Sequence, residues 1–384
     1  MNTIKDTIKD LFEKSKGFIT SNFSIKPKND KIKLVIFFII ILFIYGYIVY
    51  IRNINSPNRD QNCSILQNLY PTKPPLISVV DSPIQSVYLL RDFYIKTAYN
   101  CCCGGKYKND FMDLCALTTC IAQGVRCLDF EIYSIDNKPV VAASSIDSYK
   151  TKETYNSIPI ELVFTAINNL AFSNGTCPNY NDPLILHFRI SSNNVEMYNR
   201  FADAIRVILN QRVLGPDYSY DYNNKNLGSL PISTFKQKII IIVDSSNPIY
   251  KNTKLYEYVN MSSGNPFLHL QRYNQIKYTQ DLNLANFNKE NMTIVLPDLS
   301  ASNKNPNPYI TNDYGCQMTG LSFQNLDANL TAYNNFFNVA RFAFALKPEK
   351  LRYVPATIEI PDPLPEEYSY RPRTISGDFY NFEI

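Results

Sequence analysis

Few side chains in this sequence can move a proton near neutral pH. Among 384 residues there are two histidines, His187 and His269. Asp129 and Glu131 stand at i and i+2 in the apolar run VRCLDFEIY, so both carboxylates share one face if that run is a strand. His187 and Arg189 have the same spacing in PLILHFRI. Such a set offers oxygen ligands for a hard cation and one imidazole for acid–base work. The third chemical signal is FYIKTAYNCCCGG, in which Tyr99 and Asn100 precede Cys101, Cys102 and Cys103. Zinc on these cysteines with Cys115 and Cys120 is one reading. Adjacent cysteines do not readily aim several sulfurs at one tetrahedral ion, and the chain has no C-x-x-C pair, so a loop stabilised by oxidation is the favoured expectation.

These residues need elements to hold them, and the pattern supplies both a membrane segment and a large domain. Residues 34–51, LVIFFIIILFIYGYIVYI, carry no charge and have the length of a short transmembrane helix, with tyrosines towards one end. Eight lysines precede this run, whereas only Arg52, Arg59 and Lys73 follow over a similar distance. That bias predicts a cytosolic N-terminus and a lumenal or external main domain. Nine cysteines fit an oxidising compartment, and their odd number leaves at least one thiol free or paired between chains. Sequons at Asn62, Asn174, Asn260, Asn291 and Asn329 would then face the glycosylation machinery. The net charge of +4 is dispersed, which argues against a nucleic-acid partner.

Residues 1–33 form a cytosolic segment in which Ile4, Ile8, Leu11, Phe12 and Ile19 recur at helical spacing. That is an amphipathic helix for the membrane face, or a solvated or partner-binding tail. Residues 52–78 are polar and suit a linker, and residues 353–384, rich in proline and acids, suit a tail. Between them, helical patterns alternate with nearly continuous apolar strands. DFMDLCALTTCIAQG leads into VRCLDFEIY, IPIELVFTAINNLAF into PLILHFRI, and EMYNRFADAIRVILNQ into KQKIIIIVD. Repeated helix-then-strand units of this kind predict an α/β fold with a parallel sheet, closed as a TIM-type barrel.

The segments YIKTAYNCC, GVRCLDFE, PLILHFR and KQKIIIIVD, followed by SNKNP from Ser302, GCQMTGLSFQN from Gly315 and LKPEKLR from Leu346, resemble in type and order the phosphoinositide-specific phospholipase C barrel. The resemblance covers residues 79–352, with an X-like half at 79–245 and a Y-like half at 250–352. It implies a calcium-assisted phosphodiesterase in which one histidine assists attack by the inositol 2-hydroxyl and a second protonates the leaving group. The first histidine's place is taken by Tyr99 and the second's by Ala143. A phenol with an ordinary pKa of about 10 is a poor base at pH 7, and alanine carries no proton.

Of the family's calcium ligands the resemblance retains Asn100, Asp129 and Glu131, but its next glutamate falls on Arg189, a fixed cation that would repel the metal and could pair with those acids. His187, two residues before Arg189, is then a vestigial site residue or a satisfied core histidine. The headgroup-binding lysines align near Ile242 and Asp244, and the R-x-Y-P arginine and tyrosine near Ile294 and Leu296. The expectation is a membrane-anchored pseudoenzyme with a binding or structural role and no cofactor, calcium being doubtful. The alternatives are an active phosphoric diester hydrolase of atypical mechanism or substrate, and a surface protein that binds a glycan or another protein. The composition and missing accessory domains would suit a large DNA virus and its virion membrane, or a protist membrane protein.

Overall fold

The computed structural model describes residues 30–54, 58–146, 150–276, 282–355, 368 and 370–384. The amphipathic helix expected over residues 3–20 lies outside the described residues. The chain divides into two units, Met1–Asn62 and Cys63–Ile384. Among the described residues of the first, a helix runs from Asp30 to Ile54. Its stretch Lys33–Tyr50 is long and apolar enough to cross a membrane, and none of that stretch is buried by protein. An α-helix is suited to that environment because its backbone groups pair within the segment.

In the second unit eleven strands share one sheet: β1 (Phe93–Ala98), β2 (Cys127–Ile135), β3 (Lys138–Ala142), β4 (Ile158–Pro159), β5 (Leu184–Ile190), β6 (Ile239–Val243), β7 (Met261–Ser262), β8 (Leu268–Arg272), β9 (Met292–Leu296), β10 (Met318–Leu321) and β11 (Phe344–Leu346). Eight of them follow the order β7-β6-β5-β2-β1-β10-β9-β8, with every neighbouring pair parallel. This is a TIM-like barrel, nearly closed, whose hydrogen-bond ladder is open between β7 and β8. Strands such as LILHFRI and IIIIV are buried along their whole length, as expected for strands with one face inside the barrel and the other under helices. The hairpin partner β3 runs antiparallel to β2, and β11 runs antiparallel to the start of β1.

Local chemistry starts and stops the helices where the pattern places them. Asp113 caps Leu114–Ala122, Asn194 caps Val195–Ala204, and Asp327 caps Ala328–Ala340, each side chain accepting from a backbone N–H of the first turn. Gly124 turns the chain into β2 with φ of +72°, and a Cβ there would lie 2.6 Å from Leu76 Cδ1. Two residues on, fully buried Arg126 donates to Ala171 O (3.0 Å) and Cys177 Sγ (2.6 Å), tying β2 to the loop before β5.

The segments GCQM and LKPE also serve the scaffold. Gln317 Nε2 donates to the carbonyls of Arg91, Asn288 and Asn291, and its Oε1 accepts from Thr293 N. Lys347 Nζ donates to the same Asn288 carbonyl at 2.7 Å, in a setting where burial pulls its pKa down to about 7. The barrel closes where β1 meets β10, and there the Tyr333 hydroxyl accepts from Thr97 N (2.8 Å) and reaches Thr319 O (3.1 Å).

Three expectations change. The supposed linker contains a helix, Arg59–Leu69, with Leu66 buried, and its Cys63 is bonded to Cys115. The triplet is not oxidised: Cys101, Cys102 and Cys103 are free and buried, with Cys120, Cys127, Cys177 and Cys316. Burial raises Cys103 and Cys316 to about 12, and the Cys103 thiol donates to the Lys106 carbonyl at 3.2 Å. The sequon at Asn260 is blocked, because that side chain is buried and bonded to Ile241 N and Tyr218 O. The tail carries an exposed hairpin, β12 (Thr374–Gly377) with β13 (Tyr380–Glu383).

Three outcomes follow. Tyr333→Phe strands the Thr97 N–H inside the barrel wall, so denaturant unfolding should show a loss of about 1–3 kcal/mol. Thiol titration of the non-reduced chain should find seven thiols after unfolding and none reacting rapidly before it. Reducing the Cys63–Cys115 bond, which closes a 52-residue separation, should lower stability by up to about 4 kcal/mol.

Candidate functional site

The parallel register of β2 and β5 sets Asp129 opposite His187 and Glu131 opposite Arg189. All four side chains are at least nine-tenths buried, so each charge needs a partner. The guanidinium of Arg189 meets that need for several residues at once. Its Nε and Nη2 donate to Asp129 Oδ1 (3.1 Å) and Oδ2 (3.0 Å), a two-pronged pairing that suits a planar fork. Nη2 also donates to Asn100 Oδ1 at 2.7 Å, and Nη1 lies 3.4 Å from Glu131 Oε2. The Tyr99 ring underlies the cation, 4.8 Å from Cζ to the centroid.

The remaining oxygens are also engaged. Asp129 Oδ1 lies 2.7 Å from His187 Nδ1, and Oδ2 accepts from Asn100 N at 3.1 Å. That second contact uses the left-handed backbone of Asn100, φ +45°, at the end of β1. Glu131 accepts a short hydrogen bond from the Tyr133 hydroxyl and another from Ser144 N at 3.3 Å. Burial alone would raise the Asp129 pKa, but the Arg189 charge and the His187 contact outweigh it and hold the carboxyl well below its usual range. An ionised Asp129 can only accept, so His187 Nδ1 donates to it, and Nε2 is buried without a partner. Burial pushes the Tyr99 phenol upward despite Arg189 and Arg272 beside it, so it is a neutral hydroxyl at physiological pH.

The site can therefore be compared with what a calcium ion requires, which is six to eight oxygen ligands without a competing cation. Asn100 Oδ1 and both Asp129 oxygens already accept from Arg189, and Glu131 is shared by Arg189, Tyr133 and Ser144. A divalent ion at these ligands would lie against the guanidinium. The residues present do not fit calcium.

Of the other sequence candidates, Ala143 is fully buried just after β3, its carbonyl accepting from Glu153 N at 3.0 Å. It adjoins the cluster through Ser144. Ser302 is exposed on the loop after β9, where its N–H donates to Ser300 Oγ. Ile242, Ile294 and Leu296 are wall residues, and Asp244 accepts from Ser246 N and Ser263 Oγ. His269 is away from the cluster, stacked on Phe287 at 3.7 Å. Sequence reasoning missed Tyr133, Ser144, Tyr107 and Arg272. Tyr133 was legible, being at i+2 from Glu131 on the same strand face. Tyr107 packs edge-on against Tyr99 at 5.4 Å and hydrogen-bonds Ser322, while Arg272 Nη1 reaches Pro297 O at 2.9 Å and lies 3.5 Å from the Tyr99 hydroxyl. The Tyr107–Ser322 and Arg272–Tyr99 contacts join segments distant in sequence.

Removing the guanidinium should be costly in a pH-dependent way. Arg189→Gln leaves Asp129 and Glu131 buried beside each other, and chemical unfolding at pH 7 should show about 3–5 kcal/mol less stability. The Asp129 contribution has the sign of a depressed carboxyl: it is present above the ordinary value near 4 and fades as pH falls through the lower folded value. Stability profiles of the two proteins should converge towards strongly acidic pH, and parallel profiles would contradict the pairing.

No family model and no curated protein matches this sequence. Solved structures do. PLC21 of L. pealei superposes with a TM-score of 0.57 at 17% identity, covering 70% of this chain and 38% of that one. PLC21 of S. officinalis gives 0.56 at 18% identity with the same coverages. The phosphatidylinositol-specific phospholipase C of Listeria monocytogenes gives 0.43 at 12% identity, covering 69% of this chain and 98% of that one. The chain thus has the barrel fold of the phosphoinositide-specific phospholipases C, and it spans well under half the length of the two PLC21 chains.

Proposed function

We propose that this chain is a single-pass membrane protein whose phospholipase C-like barrel is a pseudoenzyme with a binding or structural role at a membrane. The observation that carries this reading is the Arg189 guanidinium, which holds Asn100, Asp129 and Glu131 where the fold's relatives would use oxygen ligands for a metal. Arg189 acts as a resident cation: it neutralises the acids permanently, without an exchangeable ion or an open coordination position. Tyr99 and Ala143, at the positions of the two histidines, offer a neutral phenol and a methyl group. The long apolar helix supports anchoring, and the lysine-rich segment before it supports a cytosolic N-terminus.

One observation favours a second reading, an atypical phosphodiesterase. His187 is paired to Asp129 through Nδ1 and has an unpartnered Nε2, the arrangement of an oriented base. Its complete burial argues against it, because a substrate proton would have to reach the barrel interior.

The full chain in lipid nanodiscs containing phosphatidylinositol, with and without millimolar calcium, separates the readings. The expected result is no inositol phosphate release above background and no calcium heat by titration calorimetry. Arg189→Glu, which restores a carboxylate and removes the cation, should gain measurable calcium binding. Turnover abolished by His187→Ala would establish the second reading, and calcium binding by the unmodified chain that Asp129→Asn abolishes would refute the resident-cation account.

A further inference from the structure

The geometry points to a second binding site, which we propose takes a neutral polyhydroxylated ligand, a pyranose ring of a glycan. It is a cavity of about 300 Å³ near the turn joining β7 to β8, where the barrel ladder is open. That volume is at the lower end of the range for ligand pockets. Its walls include Tyr220, Asp221, Asn223, Lys251, Tyr256 and Asn265, none of them shared with the Arg189 cluster.

The polar groups there are built in. Asp221 is 6% exposed, and Ser262 is a side-chain partner both to its carboxylate and to the neighbouring Tyr250 hydroxyl. The backbone that presents Asp221 is unusual. Tyr220, Asp221, Tyr222, Asn223 and Asn224 are five consecutive non-glycine residues in the left-handed region, with φ between 50° and 62°. L-residues visit this region singly as a rule, and a run of them persists only where the surroundings hold it. Here the Asp221 N–H is fixed to Val259 O at 2.9 Å, directing the carboxylate inward while Asn223 and Asn224 stay exposed.

The ligand class follows from charge and shape. One carboxylate, Asp221, and one ammonium, Lys251, line the cavity, and its other polar side chains are amides and phenols. A metal ion would face Lys251, and a phosphate would face Asp221. A neutral ring of hydroxyls suits both: the carboxylate accepts, the ammonium donates, and the asparagine amides do either. Tyr220 and Tyr256, with ring centroids 5.3 Å apart at 73°, add the amphipathic aromatic surface on which the C–H face of a pyranose packs. The site stands apart from the barrel mouth, and its test reads no turnover, so the two readings fail separately.

The test uses the full chain in nanodiscs on an array of neutral and sialylated glycans. Saturation-transfer NMR accompanies it, with galactose, glucose, mannose and N-acetylglucosamine as probes and with calcium chloride and inorganic phosphate as controls. At least one neutral glycan should be retained, with retention falling tenfold or more in Asp221→Ala. Should that variant fail to fold, Lys251→Ala and Asn224→Ala alter exposed side chains and should each weaken retention at least threefold. The proposal is overturned if no neutral glycan is retained, or if folded variants retain it undiminished. It is also overturned if calcium or phosphate, and no sugar, binds in an Asp221-dependent way.

Discussion

A guanidinium buried among acids is the constraint on which the mouth of this barrel depends. Asp129 and Glu131 cannot stay ionised inside a protein without a compensating charge, and Arg189 supplies it through four contacts with three residues. The pairing is enforced by strand register, since β2 and β5 set the acids directly opposite His187 and Arg189. A slip of one residue would send all four side chains to the other face of the sheet. Strand pairing therefore fixes which charges meet in the site.

The scaffold rests on other groups: Gln317 and Lys347 converge on the Asn288 carbonyl, and Tyr333 bridges β1 and β10. None of these contacts involves Asp129, Glu131 or Arg189. Substitutions at the mouth leave this framework in place as long as buried charge remains balanced. A resident arginine satisfies that condition independently of any ion supply, whereas a metal site would leave the acids uncompensated whenever the ion departed.

Much of the fold was legible in the sequence. The alternation of 3.6-residue and continuous apolar patterns placed the helices and strands of the first half. The second half was harder because its strands are short and several of its connections are brief turns, so periodicity has little length over which to accumulate. The cysteines misled. Compartment reasoning predicted oxidation of the triplet, but whether thiols bond depends on where Cα atoms lie, and the bonded pair joins Cys115 to Cys63 in a segment expected to be a linker.

Residue types and spacing by themselves determined the apolar helix, the barrel class and the proximity of Asp129 to Glu131. These are properties of one segment at a time. Only the tertiary structure decided which oxygen each nitrogen of Arg189 meets and that Arg272 flanks Tyr99. It alone revealed the left-handed turn that buries Asp221. Those facts depend on strands and loops far apart in the chain reaching one place, and distances of that kind are set by closure of the barrel rather than by any local pattern.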